Sequence, residues 1–550
     1  MITTNCSYGN HLKKKMRRSL LLMIAFVFSL SIYAQEKTIT GQVTSSTDGM
    51  GLPSVNVVIK GTSKGVSTDF DGNYSIEASA EDVLEFSFIG FKTKDVVVGA
   101  QSTVNVTLEE DISNLDEVVV VGYGTKKKSD LTGSVSVVNV EDAKKTVTYD
   151  VAKMLQGQAP GVQVKSNGTP GGFVDIKIRG ITSFRNSNPL FVIDGVITDS
   201  PYDFATGDIE SIQVLKDASS AAIYGARGAN GVVIITTKKG KEGKLNVSYQ
   251  SLIGFQSVPK SRWYSLANRE QYQELVRVAE TNAGVTPSLA NYPDDPAYID
   301  DVDTNWQEEA FRTGVIQNHS LTFNGGNQAV NYNFNLDYFN NTAYFETPQD
   351  YDRYALNLNL GGQKGKFKYG AKVAYTQSDK QNFNEYLPGT SSIISLLQAI
   401  PTMPVYDSSR KGGYGGTTEL AQRAISLNVI GFNNLITNTN QRNRFLGNVW
   451  GEFEILKGLK YKINVSADKL IWNDRYYNPP SNLGWYYVTE NAEARMSLNN
   501  GNVTRTILNN TLTYETTIAD KHKIDVLVGM LDERSDLHRV ITNSQGFEDG

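Results

Sequence analysis

From Leu245 onward, apolar and polar residues alternate one for one over stretches too long for a loop and with the wrong period for a helix. Tyr332, Phe334, Leu336 and Tyr338 are interleaved with Asn331, Asn333, Asn335 and Asp337. Phe367, Tyr369, Ala371, Val373 and Tyr375 are interleaved with Lys366, Lys368, Gly370, Lys372 and Ala374. A period of two makes strands with one apolar and one polar face. Two architectures use such strands: a soluble sandwich with one wet face, and a transmembrane barrel with lipid outside and a polar lumen. The alternation alone does not choose between them. Roughly ten such strands can be counted, separated by turns and by the long stretches 264–314 and 381–440.

The N-terminus decides the compartment. Lys13, Lys14, Lys15, Arg17 and Arg18 precede an apolar run from Leu20 to Leu30, and Ser31-Ile-Tyr-Ala34 offers a small residue for cleavage before Gln35. This pattern predicts an export signal over residues 1–34. The run is too short to span a bilayer, and no other run approaches the roughly 18 residues required, so membrane insertion would need a β-barrel. The sole cysteine, Cys6, would leave with the leader, so the mature chain is expected to hold no disulfide and no cysteine metal site. Loss of five cations and no acids takes the net charge from −5 to −10, which argues against a nucleic-acid partner.

Residues 38–108 form short alternating stretches (38–43, 54–60, 73–76, 83–88, 94–98 and 103–108) punctuated by Gly and Asp-Gly turns, the pattern of a small β-sandwich. Asp69-Phe-Asp-Gly72 is read as a hairpin turn, because a calcium loop needs further ligands and a closing Glu. Residues 125–240 read as α/β. Strands are expected at 162–164, 174–179, 190–193, 209–215 and 231–237. Helices are expected at 147–155 and at 218–224, the latter capped by Asp217 and stopped by Gly225. Gly180, Gly195, Gly225, Gly228 and Gly231 are expected at turns with positive φ.

Between these regions lies Leu115-Asp-Glu-Val-Val-Val-Val-Gly-Tyr-Gly124. Four consecutive valines strongly favour an extended backbone, yet a linker cannot bury both faces of a strand. Such a segment is tolerated where a partner supplies the missing edge by strand addition. It could also be the last strand of the preceding sandwich.

Together with Leu131-Thr-Gly-Ser-Val135, Leu155-Gln-Gly-Gln-Ala-Pro-Gly-Val162, Ile176-Lys-Ile-Arg-Gly180, Pro189-Leu-Phe-Val-Ile-Asp-Gly-Val196 and the run Asp208 to Gly231, this segment resembles the SusC/RagA family of TonB-dependent outer-membrane transporters. Gly41-Gln-Val, Leu52-Pro-Ser-Val-Asn-Val and Thr68-Asp-Phe-Asp-Gly-Asn-Tyr-Ser-Ile76 resemble a carboxypeptidase-regulatory-like domain. The resemblance implies a mainly β protein with five parts: a signal peptide (1–34), a prealbumin-like sandwich (35–112), a TonB-box linker (113–124), an α/β plug (125–240) and the N-terminal part of an outer-membrane barrel (241–550). It implies that Asp116, Glu117, Val118, Val119, Val120, Val121, Gly122 and Tyr123 bind TonB, which is energised through ExbB and ExbD, and that a SusD-like lipoprotein is a partner. Arg179 and Arg227 are candidates to hold the plug through carboxylates on the wall. Phe184, Arg185 and Asn186 are candidates to face ligand, as are Trp263 and Trp306. About 22 strands close plugged barrels of this kind, so the chain reads as an incomplete barrel.

No catalytic constellation emerges. The mature chain keeps His319, His522 and His538 at no metal-ligand spacing. Gly240-Lys241, Gly243-Lys244 and Gly365-Lys366 lack the Ser or Thr of a nucleotide loop, and Gly61-Thr-Ser63-Lys-Gly65 lacks the helix of a hydrolase elbow. The expectation is therefore not an enzyme, with no cofactor and no metal. The expected function is energised import of a large nutrient, an oligosaccharide first. A peptide importer of the RagA type, a signalling receptor and an inactive truncated fragment are the alternatives.

Overall fold

The computed structural model describes residues 37–547 apart from 47, 63, 89–90, 110–117, 122–123, 128–134, 146–147, 149, 167, 183–186, 199–200, 202–203, 385–391, 420, 485–492 and 520–521. The expected leader lies outside these residues. The chain divides into two compact units, the first holding the N-terminal sandwich and the second everything from Leu131 onward.

The sandwich is built from β1 (Lys37–Ser45), β2 (Asn56–Ile59), β3 (Gly65–Ser67), β4 (Asn73–Ala78), β5 (Val83–Ser87), β6 (Lys94–Val97) and β7 (Val106–Leu108). They form two sheets, in the orders β4-β1-β7 and β3-β2-β5-β6. Alternate residues of each strand turn inward, so Ile39, Val43, Val57, Ile76, Leu84, Phe86 and Leu108 make one core. Tyr74 sets its ring edge-on to Phe86 and donates its hydroxyl to the Val104 carbonyl at 2.8 Å. At Asp69 the side chain accepts the N–H of Asp71 (3.0 Å) and of Asn73 (2.7 Å), turning the chain into β4. Strand β3 was not expected, because Gly-Val-Ser is too short to carry a period.

Val118–Val121 is a strand, β8, and it pairs with β9 (Gly124–Lys127) as a two-stranded sheet. The expectation of a valine strand without any neighbour is therefore corrected.

Strands β10 (Val135–Val138), β11 (Val162–Ser166), β12 (Val174–Ile178), β13 (Leu190–Ile193), β14 (Val196–Thr198), β15 (Ile209–Leu215) and β16 (Val232–Thr237) follow. Five of them form a mixed sheet, β10-β15-β16-β13-β14, and β11-β12 is a separate hairpin. Central β15 and β16 are buried on both faces, as their continuous apolar sequences require. The edge strands β10 and β14 were missed, each being only three or four residues long. A helix at Val140–Lys144, capped by Asn139, was also missed. Among the described residues, the helix expected over 147–155 is seen as Val151–Met154, with Asp150 in the extended cap position accepting the Ala152 N–H at 2.6 Å; residues 147 and 149 lie outside them. Asp217 caps Ala218–Ala221 as expected, and a 3-10 segment then continues across a kink at Gly225. Gly228 does not have the positive φ expected of it; a Cβ there would lie 2.9 Å from the Ala221 carbonyl oxygen.

The remainder is one nine-stranded antiparallel sheet in which each strand pairs with the next. Its strands are β17 (Gly243–Gln256), β18 (Gly314–Gly326), β19 (Asn331–Thr342), β20 (Asp350–Lys364), β21 (Phe367–Gln381), β22 (Thr437–Leu456), β23 (Leu459–Asn478), β24 (Ala494–Ile518) and β25 (His522–Phe547). The connections 327–330, 365–366, 457–458 and 519–521 are short and share one end of the sheet, while the long ones share the other. Two long connections fold into a helical layer whose core includes Leu396, Met403, Val429, Ile430 and Trp306. Trp306 is 1% exposed and donates its indole N–H to the Ile400 carbonyl at 2.9 Å, so it is a core residue and offers no face to a ligand. The ring of Trp263 packs against Phe311 and donates to the Val258 carbonyl.

Candidate functional site

The wall sheet is inside out relative to a soluble protein. Over β19 to β22 its polar face is the more buried and its apolar face the more exposed. Asn333, Asn335 and Asp337 are buried, Asn335 completely, whereas Leu336 between them is 39% exposed, and Val449 on β22 reaches 61%. A soluble sandwich with this alternation would bury the leucines and valines. On β21 the bare face runs Phe367, Tyr369, Ala371, Val373, Tyr375, a span of about 27 Å along the strand. At a tilt of roughly 40° that is about 21 Å of height, close to the apolar band of an outer-membrane barrel. Aromatic rings edge the band: Tyr249, His319, Tyr338 and Tyr354 stack in sequence across β17 to β20, with centroids 6.1, 6.3 and 5.0 Å apart. Among the described residues no helix is long and apolar enough to cross a membrane, which says nothing of strands.

What buries the polar face is the mixed sheet of residues 135–237. Three charged groups on the wall grip its main elements. Fully buried Arg353 on β20 pairs with Asp337 on β19 at 3.0 Å and donates to the Phe204 carbonyl at 2.9 Å. Lys372 on β21 pairs with Asp194, whose carboxylate also accepts the hydroxyl of Thr237 at 2.6 Å and its N–H at 2.9 Å. Arg444 on β22, held by both oxygens of Asp468 at 2.9 and 2.8 Å, donates to the Thr198 hydroxyl. Further along, Arg505 on β24 donates to the Ile197 carbonyl at 3.2 Å. A buried charge is tolerated only when paired and hydrogen-bonded, so each of these contacts fixes the inserted domain in one orientation.

Arg227 lies 2.7 Å from Glu533 on β25, a wall carboxylate that Arg505 also approaches at 3.4 Å. Because Arg227 is nearly half exposed, this pair alone contributes little. Arg179 is exposed, adopts φ 57° and donates its backbone N–H to the Gly161 carbonyl, and among the described residues no carboxylate pairs with it. The plug-anchoring expectation at Arg179 therefore has no ion pair to rest on. Phe184, Arg185 and Asn186 lie outside the described residues, as do Asp116, Glu117, Gly122 and Tyr123. The wall groups Arg353, Lys372, Arg444 and Glu533 were not singled out from sequence. A lone cation on the polar side of an alternating strand is the signal that could have found them.

One buried carboxylate is unusual. Asp208 is fully buried; its Oδ1 accepts from Asn333 Nδ2 at 3.2 Å, while Oδ2 has no hydrogen-bond partner. Burial, aided by the nearby charge of Asp194, pushes its pKa up to about 7 against the opposing pull of Lys372, Lys238 and Lys144. For Asp194, burial pushes upward too, but the Lys372 ammonium and the bonds from Lys372 and Thr237 outweigh it and hold the carboxyl below its usual range. An acid whose pKa rises on folding stabilises most at low pH and loses that contribution as pH climbs through the folded value. Asp208→Asn is therefore expected to stabilise the inserted domain more at pH 8 than at pH 5, read as the difference in melting temperature between variant and parent. An equal shift at both pH values would show that Asp208 is ionised throughout.

Comparison with known proteins agrees with this geometry. Residues 127–232 match the TonB-dependent receptor plug domain, and residues 39–120 match the CarboxypepD_reg-like domain. A TonB-dependent receptor of Formosa agariphila is 36% identical over 510 residues, covering 91% of this chain and 49% of the relative. The TonB-dependent receptor SusC of Bacteroides thetaiotaomicron is 38% identical over 416 residues, covering 72% of this chain and 40% of the relative. The chain spans about half the length of the curated relatives it matches. The RagAB peptide importer in its open-open state superposes with a TM-score of 0.63 at 23% identity, over 79% of this chain and 50% of that one, a likeness of fold.

Proposed function

Since this chain belongs to the SusC/RagA-like TonB-dependent receptors, we propose that it serves energised import of a large nutrient across the outer membrane, through a β-barrel stoppered by its plug. The inverted wall carries this reading: an apolar band facing outward and a polar face filled by a separate folded domain make a plugged pore in lipid. The segment Asp116 to Tyr123 is the handle for TonB, which brings work derived from the proton gradient through ExbB and ExbD. Strand addition suits it, because main-chain bonds give the grip and the valines give the register. A SusD-like lipoprotein at the long-connection end is the expected partner, and the sequence-predicted leader at residues 1–34 would direct export.

Oligosaccharide is the favoured cargo. The plug-facing side of the wall carries several asparagines, Asn333, Asn335, Asn357, Asn359 and Asn448 buried and Asn331 and Asn464 partly so, and a neutral amide both donates to and accepts from hydroxyl groups. The peptide alternative draws on the RagAB likeness, which at its low identity speaks only of fold.

Accumulation of fluorescent oligosaccharides and peptides by cells with and without the gene tests the proposal. Gene-dependent uptake of an oligosaccharide that collapses with a protonophore is the expected result. Gene-dependent uptake of peptides alone would replace the cargo, and gene-independent uptake of everything would end the import reading.

A further inference from the structure

Past the aromatic edge of the wall, toward the long connections, the outward face of β20 and β21 turns acidic. The outward positions run from Tyr354 to Asp352 and Asp350 on β20, and from Tyr375 and Gln377 to Asp379 on β21. Asp352 and Asp379 are directly opposite in the strand register, where two like charges destabilise a sheet. Only neutral groups offset them. Asp352 accepts the Tyr338 hydroxyl and the Asn340 amide, each at 3.1 Å and both on Oδ1, which leaves Oδ2 for a further donor. Asp379 accepts the Gln377 amide at 3.1 Å and the Gln441 amide at 2.9 Å. The nearby cations Arg353 and Arg442 belong to the other face, where they pair with Asp337 and Asp474.

Next to this acidic rim the same face opens into a groove of about 370 Å³, lined by Tyr249, His319, Leu336, Tyr338, Tyr354 and Tyr375. Its rings are braced: Tyr338 and Tyr354 stack at 5.0 Å, Tyr338 is tied to Asp352, and the Tyr249 hydroxyl lies 2.7 Å from His319 Nδ1. The groove belongs to the apolar band, while the carboxylates stand where that band gives way to polar residues. Apolar walls below a negative rim complement an amphiphile with a positive head. An anionic headgroup would be repelled there, whereas an ammonium would be attracted and would bring three N–H donors to the carboxylates.

We propose that this groove holds one membrane lipid whose headgroup ends in a primary ammonium, with an acyl chain along the tyrosine rings and the ammonium between Asp352 and Asp379. Charge complementarity selects the occupant. The ammonium separates the two opposed carboxylates and takes the acceptor left open on Asp352. A quaternary ammonium carries no N–H to donate, and a glycerol phosphate carries no positive charge. The site requires that the wall faces lipid and is independent of the cargo.

The test uses the complete protein, purified from outer membranes in detergent and offered phosphatidylethanolamine, phosphatidylcholine and phosphatidylglycerol with identical acyl chains. Native mass spectrometry counts the lipid retained. Phosphatidylethanolamine should be retained at least about fivefold over each of the others, at one per chain. Asp352→Asn with Asp379→Asn keeps the side-chain shapes and removes both charges, so the preference should fall below about twofold. Melting temperature supplies the folding control. Without lipid the variant should melt no lower than the parent, because the opposed charges are gone, and added phosphatidylethanolamine should raise the parent's melting temperature more than the variant's. Equal retention of the three lipids, retention of phosphatidylglycerol that depends on added calcium, or an unchanged preference in the variant overturns the ammonium site and leaves import standing. Absence of the protein from outer-membrane fractions overturns the lipid-facing wall and this site together.

Discussion

Val119→Pro with Val120→Pro is expected to lower solute accumulation to the level of cells lacking the gene, while the amount of protein in the outer-membrane fraction stays unchanged. Successive residues of a strand point their N–H groups to opposite edges, and proline has no N–H to offer. Two adjacent prolines therefore remove a donor from each edge, whichever edge a partner strand joins. The fixed φ of each ring adds a steric obstacle to continuous pairing. β8 already has one neighbour in β9, but a lone two-stranded ribbon is marginally stable in water, so its free edge, or the whole ribbon after opening, can accept a third strand. Val119→Ile with Val120→Ile keeps every backbone donor and should import normally. Retained uptake in the proline variant would remove the handle from the mechanism.

Arg353→Ala is expected to destabilise the seated plug by about 3–5 kcal/mol, the typical result of stripping one partner from a buried ion pair. Arg353 and Asp337 are both fully buried at their side chains, and the guanidinium also lies 5.4 Å from the centre of the Phe339 ring. Without it the Asp337 carboxylate keeps only polar neighbours such as Asn318, whose amide donates at 3.0 Å. The Phe204 carbonyl of the plug loses its donor as well. Faster hydrogen exchange in the Ile209–Leu215 strand should accompany the loss. Arg353→Met with Asp337→Leu, which removes both charges, should cost much less. An unchanged melting temperature for Arg353→Ala would mean that the pair does not hold the plug against the wall.

Sequence carried the local information well and the pairwise information poorly. The runs from Tyr332 and from Phe367 became β19 and β21 because a period of two survives any tertiary context that keeps one face buried. Nine wall strands stand against the roughly ten counted from alternation. β15 and β16 were legible because uninterrupted runs such as Val232-Val-Ile-Ile have few alternatives to a buried strand. β10 and β14 were not, since Val196-Ile-Thr holds too few residues to show a period and its burial comes from the wall. Of the helix expected at 147–155, the described part begins at Val151, because the Asp150 side chain caps from within what looked like a continuous segment.

Functional groups followed the same division. Arg227 stands opposite a wall carboxylate more than three hundred residues away, and nothing near it in the chain could name Glu533 as its neighbour. Lys372 was read only as a polar position of an alternating strand, and Arg353 and Arg444 were not read at all. Their partners Phe204, Asp194 and Thr198 sit on the plug, and only the fold brings them together. Trp306 went the other way: an aromatic residue in a polar connection suggested a ligand face, but a small helical layer with its own core claimed it.

The most direct measurement is a cross-linking ladder between single cysteines at Val118, Val119, Val120 and Val121 and single cysteines along the periplasmic end of TonB, in living cells taking up oligosaccharide. Strand addition predicts that each step along the valines moves the preferred TonB position by one residue, giving a diagonal of cross-links that fades when the proton gradient is collapsed. Cross-links scattered without register, or a diagonal unaffected by energy and solute, would contradict the coupling on which the import mechanism depends.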